Sequence, residues 1–118
     1  MKKLIESKRR IFTGFALLFT VLIITNSCTK SKDLPGANEV FIQGMAFTPS
    51  TITVNAGTTI TWTNNDGVVH NVTSNTAGLF SSGAISPNGT YSHLFSTAGT
   101  FPYTCTLHAG MNGSVVVK

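Results

Sequence analysis

"TITVNAGTTITWT", residues 51–63, alternates threonine with Ile52, Val54, Ile60 and Trp62 on either side of an Asn-Ala-Gly break. Successive side chains on a strand point to opposite faces, so this period of two describes two half-buried strands joined by a turn. The same signature continues outward. "VVHNV" (68–72), "TYSHLF" (90–95), "TFPYTC" (100–105) and "SVVVK" (114–118) are rich in β-branched and aromatic residues. "NNDG", "SPNG" and "STAG" stand between them as turns. No stretch from Asn38 onward has a helical period. The pattern predicts an all-β domain of seven or eight short strands, a sandwich or barrel. Its expected core is Phe41, Ile52, Val54, Ile60, Trp62, Leu94 or Phe95, Val115 and Val117. Residues 38–118 bury a small core, and small exported domains often add a disulfide or a metal to one.

The formal charge of +4 among 118 residues is unevenly placed. Residues 1–27 carry Lys2, Lys3, Lys8, Arg9 and Arg10 against Glu6 alone. Beyond them, Lys30, Lys32 and Lys118 balance Asp33, Glu39 and Asp66. A basic nucleic-acid footprint is therefore absent from the domain. The leader has a basic start, an apolar run from Ile11 to Ile24 and then "TNSC". That is the order of an export signal, with an apolar run short of the roughly 20 residues of a membrane span. Ser27-Cys28 resembles the end of a bacterial lipobox, in which the cysteine is lipidated. Residues 1–27 are thus expected to be a lipoprotein signal peptide and Cys28 the lipid-bearing anchor, the alternatives being an uncleaved anchor or ordinary secretion. "TKSKDLPGA" (29–37), with Pro35 and Gly36, reads as a tether, so 28–37 links the anchor to a domain at 38–118.

"YTCTLHAGM", residues 103–111, places Cys105, His108 and Met111 three apart. Paired cysteines in an exported chain suggest a Cys28–Cys105 disulfide. That pairing fails if Cys28 is acylated, and it leaves His108 and Met111 unexplained. A metal is the alternative. His93 sits mid-strand with no other ligand type nearby and reads as a strand histidine. His70 lies where one strand leaves a turn and another begins, and so can face the loop after Cys105. Structural zinc sites rarely use methionine. Two imidazoles, a thiolate and a weak thioether are the donors of a blue-copper site.

Together, "TITWTNNDGVVHNV" (59–72) and "GTFPYTCTLHAGMNGSVVV" (99–117) resemble the plastocyanin and amicyanin branch of the cupredoxins, over about residues 39–118. The resemblance implies a Greek-key β-sandwich holding one copper ion, with His70, Cys105 and His108 as equatorial ligands and Met111 as the axial one. Asn71 matches the family asparagine that ties the two ligand loops together. The short Cys-to-Met spacing is most similar to amicyanin. Many relatives have proline between the cysteine and the histidine, whereas this chain has Leu107. Its N–H is expected to give the Cys105 sulfur a second hydrogen bond.

The implied function is one-electron Cu(II)/Cu(I) transfer in the periplasm or cell envelope, with the domain held at a membrane through Cys28 and acting as a monomer. A c-type cytochrome, an oxidase or a reductase would dock near His108, against an apolar rim of Leu107, Ala109, Gly110 and Met45. Four protein donors leave no place for substrate, so no enzymatic activity is expected. The alternative is a copper delivery or sequestration module, which would use surplus methionines and histidines; this chain has three of each.

Overall fold

The alternation at 51–63 resolves into two strands that belong to different sheets. A computed structural model describes residues 34–118. In it, β3 (Thr51–Val54) turns through Gly57 at φ 89° into β4 (Thr58–Asn64). The other strands are β1 (Glu39–Gln43), β2 (Ala46–Thr48), β5 (Thr73–Ser74), β6 (Thr90–Phe95), β7 (Gly99–Thr104) and β8 (Asn112–Val117). They form two four-stranded sheets in the orders β2-β1-β4-β6 and β3-β8-β7-β5. This is the expected all-β sandwich, with eight strands. The signal peptide at 1–27, Cys28 and the tether as far as residue 33 lie outside the described residues.

Trp62 is the centre of the core. It is fully buried, and Tyr91, Tyr103, Phe80 and Phe95 surround it at ring separations of 5.4 to 6.3 Å. Ile52, Val54, Ile60, Val115 and Val117 complete the packing between the sheets, as the alternation predicts. The choice left open between Leu94 and Phe95 falls to Phe95. Leu94 is 55% exposed and Phe95 only 3%, because β6 turns Tyr91, His93 and Phe95 inward. Phe41 is buried as expected, and Val40 and Ile42 beside it are fully covered. In "VFI" every residue is apolar, so the sequence carries no phase.

One expectation needs correction: 68–72 does not form a strand. His70 makes one isolated bridge to Ile85, with N–O distances of 3.2 and 2.8 Å. Side chains take the neighbouring carbonyls: Asn64 Nδ2 donates to Val68 O and His108 Nε2 to Val69 O. A β-branched run thus becomes a loop because its acceptors are claimed from outside a ladder.

Strand direction gathers three connections at one end. β1 and β4 run parallel with Ile42 opposite Asn64, so the 44–45 turn and the 65–72 loop emerge together. β7 and β8 are antiparallel up to the Thr104–Asn112 pair, beyond which lies the 105–111 loop. The β1–β2 turn carries Gly44 at φ 62° and Met45 at φ 60°. Left-handed backbone costs a residue with a Cβ roughly 1–2 kcal/mol, so something must hold Met45 there. Hydrogen bonds from both amides to Asp66 do so, at 2.7 and 3.0 Å.

Candidate metal centre

Two loops from different sheets supply the candidate ligands. Cys105 follows β7 directly, and its amide donates to Met111 O at 2.9 Å, closing the base of the ligand loop. Cys105 is 1% exposed and Met111 3%. His70 arrives from the opposite sheet and is fully buried. One ligand atom each from His70, Cys105 and His108 lie within 4.8 Å of one another, and His70 Nδ1 stands 3.8 Å from Cys105 Sγ.

The hydrogen bonds around the cluster fix which atoms face inward. His70 Nε2 lies 2.9 Å from Asp66 Oδ2, and His108 Nε2 3.0 Å from Val69 O. A carbonyl and an ionised carboxylate only accept, so both Nε2 atoms carry the proton and both Nδ1 lone pairs are left to a metal. Partial burial would raise the Asp66 carboxyl. The amides of Met45 and Gly44, with the His70 ring, outweigh it and hold the pKa below the ordinary value. Asp66 is therefore ionised at neutral pH.

Asn71 joins the loops. Its amide donates to Cys105 Sγ at 3.4 Å, its Oδ1 accepts from Thr106 N at 2.9 Å, and its Nδ2 donates to Thr106 Oγ1 at 2.6 Å. Leu107 does not fill the role expected of it. Its amide makes no hydrogen bond to the sulfur among the described residues, and its side chain is 53% exposed. Leu107→Pro, which removes that amide N–H, is accordingly expected to leave the Cu(II)/Cu(I) ratio at a fixed potential within about twofold, or about 18 mV at 59 mV per decade. Voltammetry of the two proteins checks this.

The sequence model described as copper binding proteins, plastocyanin/azurin family, matches residues 36–118. The chain belongs to the plastocyanin/azurin family. Among its relatives in that family, plastocyanin of Scenedesmus fuscus is 37% identical over 86 residues, covering 63% of this chain and 88% of that protein. Amicyanin-alpha of Methylorubrum extorquens is 37% identical over 93 residues, covering 70% and 73%. Among solved structures, an oxidized amicyanin mutant superposes with a TM-score of 0.65 at 35% identity, covering 70% of this chain and 83% of that one. A purple cupredoxin from Nitrosopumilus maritimus gives 0.64 at 28% identity, covering 68% and 98%.

The donor set fits the family's metal. Two imidazoles with Nδ1 free, a buried free thiol and a buried thioether make a candidate single copper site. His93 stands apart from it, between the rings of Phe80 and Phe95 at 4.7 and 4.9 Å. Partial burial there lowers its pKa, consistent with the strand histidine the sequence suggests.

Sequence reasoning missed two residues that shape the site. Asn64, fully buried, donates to Val68 O and Ile85 O at 2.8 and 2.9 Å and accepts from Asp66 N at 3.0 Å. The clue was available in "NNDG", since asparagine readily accepts from a backbone amide two residues on. Asp66 is the other, and nothing local announced its reach to the β1–β2 turn.

Proposed function

We propose that the chain is a blue-copper electron carrier working outside the cytoplasm, with His70, Cys105 and His108 as equatorial ligands and Met111 as the axial one. The convergence of the first three ligand atoms within 4.8 Å, with both histidines anchored through Nε2, is the observation that carries this reading. Copper, when bound, supplies a one-electron Cu(II)/Cu(I) couple. Cys105 and Met111 are soft donors suited to Cu(I), and the imidazoles suit both states. Because the hydrogen bonds hold the donors in place, little has to move when the charge changes. With all four donors supplied by the protein, the reading favours a carrier over an enzyme.

His108 is half-buried, and its Nε2 reaches the Val69 carbonyl. Met45, Val68, Val69 and Leu107 are each between 39% and 53% exposed. Ala109 and Gly110 extend this rim. Val68 and Val69 join it because 68–72 is a loop. The rim suits brief docking of a redox protein such as a c-type cytochrome, an oxidase or a reductase, by one copy of this chain at a time. The signal peptide at 1–27 would direct export, and lipidation of Cys28 with a tether at 28–37 would hold the domain at an envelope membrane.

The nearest carboxylate, Asp66, has a side chain only 15% exposed and is already bonded. Association with a partner is therefore expected to change by less than about threefold between ~0.01 and ~0.5 M salt, whereas steered pairs change by about tenfold or more. Stopped-flow reduction across that range is the check.

The deciding experiment adds Cu(II) to the purified protein and records visible absorption and electron paramagnetic resonance. An intense thiolate band with narrow copper hyperfine splitting is expected. A pale, wide-hyperfine spectrum would overturn the carrier reading. Slow copper exchange with a chelator would further oppose a delivery role, which requires ready release.

A further inference from the structure

Asp66 is bonded on two sides by groups that have no other reason to meet. Its Oδ1 accepts from Gly44 N at 2.7 Å, and its Oδ2 from Met45 N at 3.0 Å and from His70 Nε2 at 2.9 Å. Its own amide donates to Asn64 Oδ1. Gly44 and Met45 are consecutive left-handed residues, which turns both N–H groups toward the same carboxylate. Asp66 is thus held independently of His70, and its side chain is largely shielded from solvent.

We propose that Asp66 is a positioning residue that sets the electron-transfer potential by acting through His70. The proposal rests on the copper reading above. A carboxylate that accepts from Nε2–H fixes the ring's tautomer and orientation and makes Nδ1 a stronger donor. A stronger donor with a negative charge behind it favours Cu(II) over Cu(I), since the oxidised ion carries the larger charge. The two ligand histidines then differ in kind. His108 leans on a neutral carbonyl at the surface, and the buried His70 on a part-buried anion. The β1–β2 turn becomes part of the site without contributing a ligand.

The variant Asp66→Asn keeps the size and removes the charge. Relative to the unaltered protein it is expected to shift the Cu(I)-to-Cu(II) affinity ratio about tenfold toward Cu(I), a rise of about 59 mV in midpoint potential. Affinity for Zn(II), which has no redox chemistry, is expected to fall about 10-fold or more. Asp66→Glu, which retains the charge, should stay nearer the original potential. A potential unchanged within about twofold in that ratio (18 mV) for Asp66→Asn overturns the proposal. So does an equal shift in Asn and Glu variants, which would mean a merely structural role.

If Asp66→Asn does not fold, nuclear magnetic resonance of the unaltered Cu(I) protein decides. A slowly exchanging His70 Nε2–H with a carboxylate-bonded shift supports the proposal, and one exchanging as fast as free imidazole overturns it. The two readings fail separately. A protein that is intensely coloured, with a potential indifferent to Asp66, would lose only this inference. One lacking the thiolate band in its unaltered form would lose the copper reading itself.

Discussion

Loading with copper is expected to raise the thermal midpoint of the domain by about 16 °C or more, and Cys105→Ser to remove most of that gain together with the visible band. A ligand that binds only the folded state at a thousand times its Kd stabilises by about 4.1 kcal/mol. For a domain of this size each kcal/mol is worth about 4–8 °C. The site is well placed to deliver this, because its donors come from both sheets and a bound ion fastens them at one end. Serine in place of Cys105 removes the soft donor and leaves a hydroxyl in a buried position. Outer hydrogen-bond partners of a metal site are worth about 10–100-fold in affinity, so a ligand is expected to cost at least the upper figure. At about 1.4 kcal/mol per decade that is about 2.8 kcal/mol of the gain. Calorimetry on both proteins, with and without metal, measures it. An undiminished gain in Cys105→Ser would place the copper elsewhere.

The second large effect lies in the scaffold. Gly113 pairs with Tyr103 across β7 and β8, and the tyrosine side chain lies directly over it. A methyl group at Gly113 would overlap both the ring and the hydroxyl of Tyr103. The ring cannot retreat. It is fully buried, edge-on to Phe47 at 4.8 Å and to Trp62 at 5.4 Å. Gly113→Ala is therefore expected to destabilise by about 3 kcal/mol, the upper end for overpacking. That is a large part of the ~5–15 kcal/mol a domain possesses. Burial also pushes the Tyr103 phenol up to about 12 against a smaller lowering by the nearby Trp62 indole N–H, and among the described residues no hydrogen bond of good geometry reaches its hydroxyl. Adding Tyr103→Phe to Gly113→Ala should thus recover part of the loss, because it removes bulk and an unpaired polar group together. Urea denaturation of the single and double variants provides the comparison, and a Gly113→Ala protein as stable as its parent would contradict the packing described.

The strands that alternate strictly, β3 and β4, are legible directly, since period two has one physical meaning. Elsewhere the pattern is degenerate. "VFI" in β1 has no polar member to set its phase, and "LF" in β6 offers two apolar residues for one inward position. "VVHNV" has strand composition, but its fate was decided by Asn64 and His108, which compete for its carbonyls from outside. The ligand loop is legible because Cys105, His108 and Met111 are close in sequence and chemically unusual together. His70, 35 residues before Cys105, is legible more weakly, from its place after the "NNDG" turn and then through the resemblance. Asp66 is not legible at all. Its role depends on amides 21 and 22 residues away, in a turn whose "GM" carries no mark of a carboxylate binder.

The amide-to-carbonyl bond between Cys105 and Met111 sits one step beyond the last β7–β8 pair. Three of the four candidate donors are thereby carried on a single hairpin cap, sealed off from the sheets at its root. Insertions or deletions inside that cap would leave every strand register untouched. The fold thus separates what evolution must preserve for folding from what it can vary for chemistry. A lineage could try new loop lengths one at a time, like interchangeable heads on a common handle, and retune its electron affinity while the sandwich below stays the same.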